Sequence, residues 1–230
     1  MGISLKMYSL LAILYQSVTF ISGAMPGNTD CSTQDTAWLK QQIHNGRIWE
    51  NRYGRISGHE YFLTEALCES RVTVNGRIFE NQLLRYDILR DEVVLMVRPD
   101  QFIMLNSEHT GEFTMSCRNS EYRFVNFGEM GFCLVLYDGN TKLVRKYVKT
   151  VKKQSYDNLY ATFAEETADY IVSDGVFHRL RNRSDLFLVM TGREKEVREF
   201  IRKNPAQLSM RRPESLIPVL EYFDSLPGSK

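Results

Sequence analysis

The sequence predicts a mainly β (α+β) fold: an antiparallel meander of hairpins forming a sheet or partly open barrel, with a short N-terminal helix and C-terminal helices packed on it. Three observations carry this reading. Asn75-Gly76, Asp138-Gly139 and Asp174-Gly175 each separate runs rich in β-branched and aromatic residues. Such pairs tolerate the positive φ angles of a type I′ hairpin turn. Residues 71–97 repeat the theme, with Val72 and Val74 before the Asn-Gly turn and Ile78 after it. A further turn at Arg90-Asp91-Glu92 then parts Tyr86-Asp87-Ile88 from the apolar run Val93 to Val97. Beyond residue 183 the periodicity becomes helical.

Taken in order, Lys6 precedes an apolar run from Met7 to Ile21, closed by Ser22-Gly23-Ala24. A basic start, an apolar centre and a small-x-small end predict a signal peptide over 1–24. The run is short and holds Gln16, which argues against an uncleaved membrane span. Residues 25–46 read as an N-terminal segment with one helix, capped by Asp35, carrying Trp38, Leu39 and Ile43 on one face and ended by Gly46. The antiparallel β-rich body is expected over 47–183. Past the meander its strands fall at 101–106, 112–117, 122–127, 132–137 and 141–151, followed by a polar connector over 152–167 and a hairpin over 170–180. The C-terminal segment, 184–230, is expected to be helical. Ser184 or Asp185 can cap a turn bearing Leu186, Phe187 and Leu188, and Thr191 to Glu194 fits a capping box before Val197, Phe200 and Ile201. Pro213 suits a first helical position ahead of Leu216, Leu220 and Phe223. Such helices would cover a sheet face or an open edge.

The chain has 29 basic and 28 acidic residues; loss of 1–24 removes Lys6 and leaves 28 against 28. A neutral molecule creates no global field for nucleic acid or for an anionic membrane, so membrane contact is expected to be peripheral at most. Export would admit disulfides, and four cysteines follow the leader: Cys31, Cys68, Cys117 and Cys133. Cys117 and Cys133 lie in successive expected strands and are a candidate pair; four buried thiols are the alternative. The absence of C-x-x-C removes zinc-ribbon and thioredoxin-like chemistry.

The stretches Gly54 to Leu63, Val72 to Gly76, Leu84 to Ile88 with Asp91-Glu92, Val135 to Gly139 and Glu196 to Asn204 resemble a group of exported β-rich proteins of Gram-negative bacteria of the Bacteroidetes type. That resemblance covers roughly 54–225. It implies export and the fold, and brings no catalytic motif.

Nor do the residues supply one. His59-Glu60 opens like a zinc-protease motif, but position 63 is Leu63. Gly54 to Gly58 places Ser57 one residue too late for a nucleophile elbow. Asp87, Asp91 and Glu92 gather carboxylates at one turn, where solvated turn residues explain them better than calcium does. No pattern calls for a cofactor. Lys142, Arg145, Lys146, Lys149, Lys152 and Lys153 put charge on both faces of a strand, which predicts a protected edge strand, or else a surface for phosphorylated or acidic envelope components. The loop-rich aromatic cluster over 49–62, with Trp49, Arg52, Tyr53, Arg55 and His59, is the other candidate binding surface. The expected function is a non-enzymatic interaction or assembly module of the bacterial cell envelope, with another envelope protein as partner. The alternatives are a small-ligand or ion binder, or an envelope hydrolase in which His59 meets Asp87 or Glu60.

Overall fold

A computed structural model of the protein describes residues 41, 47–51, 53, 56–153, 161–204 and 208–227. The expected signal peptide, the N-terminal helix apart from Gln41, and Cys31, Arg52 and Arg55 lie outside the described residues.

Asn75 and Gly76 take φ angles of 51° and 73°, and Asp174 and Gly175 of 51° and 76°, so both pairs turn as their residue types predict. Arg118 and Asn119 turn in the same way at 51° and 63°. The strands so joined are β1 (Arg47–Ile48), β2 (Cys68–Val74), β3 (Arg77–Asp87), β4 (Glu92–Arg98), β5 (Gln101–Met104), β6 (Thr110–Cys117), β7 (Ser120–Asn126), β8 (Phe132–Asp138), β9 (Lys142–Lys153), β10 (Ala161–Ser173) and β11 (Val176–Leu180). Among the described residues they form one antiparallel sheet in the order β1-β5-β4-β3-β2-β6-β7-β8-β9-β10-β11. From β2 onward the chain is a run of hairpins, broken where the link from β5 to β6 passes β4, β3 and β2.

The sheet curls without closing. Segment 56–63 lies across its open side, paired to Asp87 through Tyr61 and, in parallel, to Thr162 through Ser57. Lys149 N–H donates to Ile88 O at 3.1 Å, bringing β9 against the end of β3 although four strands separate them in the sheet. Inside this curl sit Phe62, Tyr86, Phe113, Phe124 and Phe132, all buried. Their rings meet at 4.9–5.9 Å, mostly edge to face, the arrangement that ring quadrupoles favour.

Three helices follow, α1 (Arg183–Val189), α2 (Glu194–Lys203) and α3 (Ile217–Ser225). Leu186, Met190, Val197, Ile201, Leu216, Leu220 and Phe223 form a second core with Leu143 of β9 and Ile171 of β10. The helices therefore cover one face of the C-terminal half of the sheet, as expected. Their caps differ from expectation. Asn182, not Ser184 or Asp185, caps α1, accepting from the Ser184 and Asp185 amides while Asp185 accepts from Asn182 N–H. Thr191 instead donates to Leu188 O, and α2 has no side-chain cap.

Two further expectations are corrected. Cys117 is bonded to Cys68, with their Cα atoms 5.4 Å apart, and Cys133 is a buried thiol. Strand register gives the reason. Glu69 faces Ser116, so Cys68 and Cys117 are neighbours across the β2–β6 ladder. On β7, by contrast, Cys117 faces Ser120 while Cys133 faces Val125. Five residues of strand, roughly 16 Å, hold that pair apart. The second concerns β9, which lies between β8 and β10 over Lys142–Arg145 and is an edge, paired to β10 alone, only from Lys146 to Lys153. The region read as a connector contains the first half of β10.

Candidate functional site

The turn after β3 organises the polar interior. Asp87 is 2% exposed, and its Oδ1 accepts from Leu89 and Arg90 N–H at 2.9 and 3.0 Å. Beside it run Glu60 and Tyr61, also buried, on the segment that crosses the sheet. Lys149 reaches in from β9, and its Nζ donates to His59 O at 2.9 Å and Tyr61 O at 2.6 Å, 3.7 Å from Glu165. Burial pushes the Asp87 carboxyl up to about 6, against the pull of the turn amides. Burial also lowers Lys149, opposed by Glu165, Glu60 and Asp87, and lowers His59 with help from Lys149.

A pH signature follows. The folded chain holds a proton on Asp87 that the unfolded chain releases near the ordinary carboxyl range. This term therefore stabilises the protein below about pH 4 and is lost as pH rises through about 6. Relative to Asp87→Asn, the wild type should gain about 2 kcal/mol between about pH 7 and about pH 4.5 in urea unfolding. A difference independent of pH would contradict the assignment.

Asp91 ends the same turn and ties it to β8 and β9. It accepts from Tyr86 Oη, from Lys146 Nζ at 2.7 Å and from Phe132 N–H at 3.3 Å. Gly131 makes the approach possible: its φ is 67°, and a Cβ there would stand 1.7 Å from Asp91 Oδ2. Gly131→Ala is expected to cost at least about 2 kcal/mol of unfolding free energy, from backbone strain and the displaced carboxylate. Tyr86 and Lys146 would lose their shared carboxylate together and keep only the Phe132 carbonyl. The turn also borders an open cavity of about 660 Å³, lined by Asp91, Glu92, Glu108, Thr110, Asn126 and Glu129 among others. The carboxylates at this turn are thus not simply solvated: Asp87 is capped by amides, Asp91 meets Lys146, and Glu92 pairs with Arg47. Among the described residues no group of three metal-ligating side chains converges.

The sequence-selected residues are largely occupied within the chain. Trp49, Tyr61 and Phe102 form an aromatic cage around the Arg85 guanidinium, 4.3–4.7 Å from the three rings. Tyr53 Oη accepts from Arg90 Nε at 3.2 Å, and its ring stands edge-on to Phe163. His59, half-buried, stacks on Tyr61. Lys142 pairs with Asp138, and Arg145 with Asp169 at 2.7 Å and Glu214 at 3.5 Å. Lys146 and Lys149 are held as described above. Each interior cation of β9 therefore has its own acceptor, which is how a strand carries this charge inward.

The feature that the sequence reading missed is a ribbon. β9 and β10 stay paired from Lys146↔Ala168 to Lys153↔Ala161, whereas β8 leaves β9 at Arg145 and β11 leaves β10 at Asp169. Ala161 O and Phe163 N–H point to the outer edge of β10, where they bond Ser57. Period two carries the same direction to Glu165 and Thr167 and onward to Asp169, where β11 begins. Between Ser57 and β11, the backbone groups of Glu165 and Thr167 have no strand partner among the described residues. Val148 and Thr150 are exposed on one face of the ribbon.

No protein-family model, curated protein or solved structure matches the chain.

One signal could have revealed the ribbon. Lys149 faces Glu165 in register and Lys152 reaches along the ribbon to Glu166 at 3.7 Å, so the acidic pair in the supposed connector was the complement of the basic run.

Proposed function

We propose that the protein is a non-enzymatic interaction and assembly module of the bacterial cell envelope. Its working surface is the β9–β10 ribbon, and its partner is an extended segment of another envelope protein added along β10. The observation that carries this reading is the backbone edge at Glu165–Thr167, which has no strand partner among the described residues on a strand otherwise paired. An added strand gains main-chain hydrogen bonds there, and its side chains can rest against Val148 and Ala164. Two copies of the edge meeting in antiparallel fashion would oppose Glu165 and Glu166 to their own kind, which disfavours self-pairing. The Cys68–Cys117 bond supports the export part of the proposal, since such bonds persist in oxidising compartments.

Thr167→Pro tests it. Proline removes the outward N–H and leaves the alternate residues bonded to β9, so the fold is retained while strand addition is blocked. The variant is expected to lose at least about tenfold in recovery of its partner from crosslinked envelopes. Undiminished recovery of the same protein would overturn the edge assignment.

A hydrolase near His59 is the second reading, favoured by the charges of Glu60 and Lys149 beside His59 and by Asp87 next to Glu60. The geometry supports it less, because Asp87 and Lys149 are spent on backbone groups.

A further inference from the structure

A second surface lies on the helical cap, away from the ribbon and independent of it. Arg183 and Phe187 are four residues apart on α1 and share a face; Arg198, Ile201 and Arg202 do the same on α2. With Leu208 they line a cavity of about 540 Å³, within the range of small-molecule sites. Its floor is apolar: Ile201 is buried, and Phe187 and Leu208 are half-buried. Its rim carries three exposed guanidiniums, and among the described residues no carboxylate lines it. Among the described residues these arginines enter no ion pair, although they belong to a protein whose β9 cations are closely matched to acids. Glu199 feels Arg202 but is bonded to Lys203 at 2.9 Å. Arg198 lies over the Phe187 ring at 3.8 Å, which holds one guanidinium beside the apolar floor.

We infer that this cavity binds a phosphorylated amphiphile, its phosphate monoester held by Arg183, Arg198 and Arg202 and its apolar body on Phe187, Ile201 and Leu208. Guanidinium forks match phosphate oxygens, and a phosphate offers three of them to three arginines where a carboxylate offers two. Inorganic phosphate would leave the apolar floor unused, and a neutral amphiphile would leave the arginines unused.

The test is isothermal titration calorimetry on the full chain with dodecyl phosphate below its micellar concentration, beside inorganic phosphate and dodecyl maltoside. Dodecyl phosphate should bind at least about tenfold more tightly than either, and more weakly as salt is raised. Arg198→Gln/Arg202→Gln should reduce that affinity by about tenfold or more. Both side chains are exposed, so the substitutions leave the core intact, and the comparison of probes on the wild type stands without them. Equal binding of dodecyl maltoside or of inorganic phosphate would overturn the assignment, as would unchanged affinity in a variant with native circular dichroism.

Discussion

Lys149→Met is expected to lower the free energy of unfolding by about 3–5 kcal/mol, the range for removing one partner of a buried ionic group. Methionine keeps most of the stem, so packing changes little and the loss isolates the ammonium. That ammonium satisfies the carbonyls of His59 and Tyr61, and it feels the charges of Glu165, Glu60 and Asp87. Without it two buried acceptors lose their donor and Glu60 and Asp87 lose a neighbouring positive charge. Segment 56–63 should then loosen first, since Lys149 fastens it to β9. Urea unfolding measures the total, and hydrogen exchange at Phe62 and Ile88, whose amides bond Tyr86 O and Glu60 O, reports the local effect. A loss below about 1 kcal/mol would mean that the charge is not structurally used.

Removal of the Cys68–Cys117 bond is the second large effect. It closes a loop with a sequence separation of 49, for which chain entropy predicts a stabilisation of about 4 kcal/mol. The double serine variant should unfold at correspondingly lower urea, and a reductant should destabilise the wild type while leaving the variant unchanged. Equal responses to reductant would show that the bond does not form. Cys133 should stay unreactive in both proteins until they unfold, because it is buried and burial pushes its thiol up to about 11.

The parts of the fold readable in the sequence were those with local causes. Asn75-Gly76 and Asp174-Gly175 turn because their own residues accept positive φ, and Val197 and Ile201 are buried because helical spacing puts them on one face. Features with distant causes were not readable. The loop after Asp138 does not turn as a type I′ pair; it is set by Asp224, whose carboxylate accepts from Thr141 N–H at 3.1 Å and Tyr137 Oη at 3.0 Å from 83 and 87 residues away. The first half of β10, with its alanines and glutamates, has weak strand propensity and is extended because β9 pairs with it. The pairing of Cys68 with Cys117 is not local either, because β2 and β6 become neighbours only when the chain returns past three strands.

The candidate sites follow the same division. The basic run on β9 was visible, but its meaning depended on acids at Asp91, Asp169 and Glu165 whose positions the tertiary fold supplies. The aromatics of 49–62 were visible too, yet their occupant, Arg85, comes from β3. Glu60 and Asp87 feel one another and Lys149, while among the described residues the buried His59 Nδ1 meets neither acid; the partners of Asp87 and Lys149 direct that cluster toward holding the fold.

The measurement closest to the central proposal is in-cell photo-crosslinking with a reactive side chain placed in turn at Glu165, Glu166 and Thr167, and at Glu121 on β7 as the control position. The account predicts one envelope-protein adduct from the ribbon positions, lost when Thr167→Pro is introduced into the Glu165 and Glu166 probes and absent from the control. The same adduct at every position, or none from the ribbon, would contradict it.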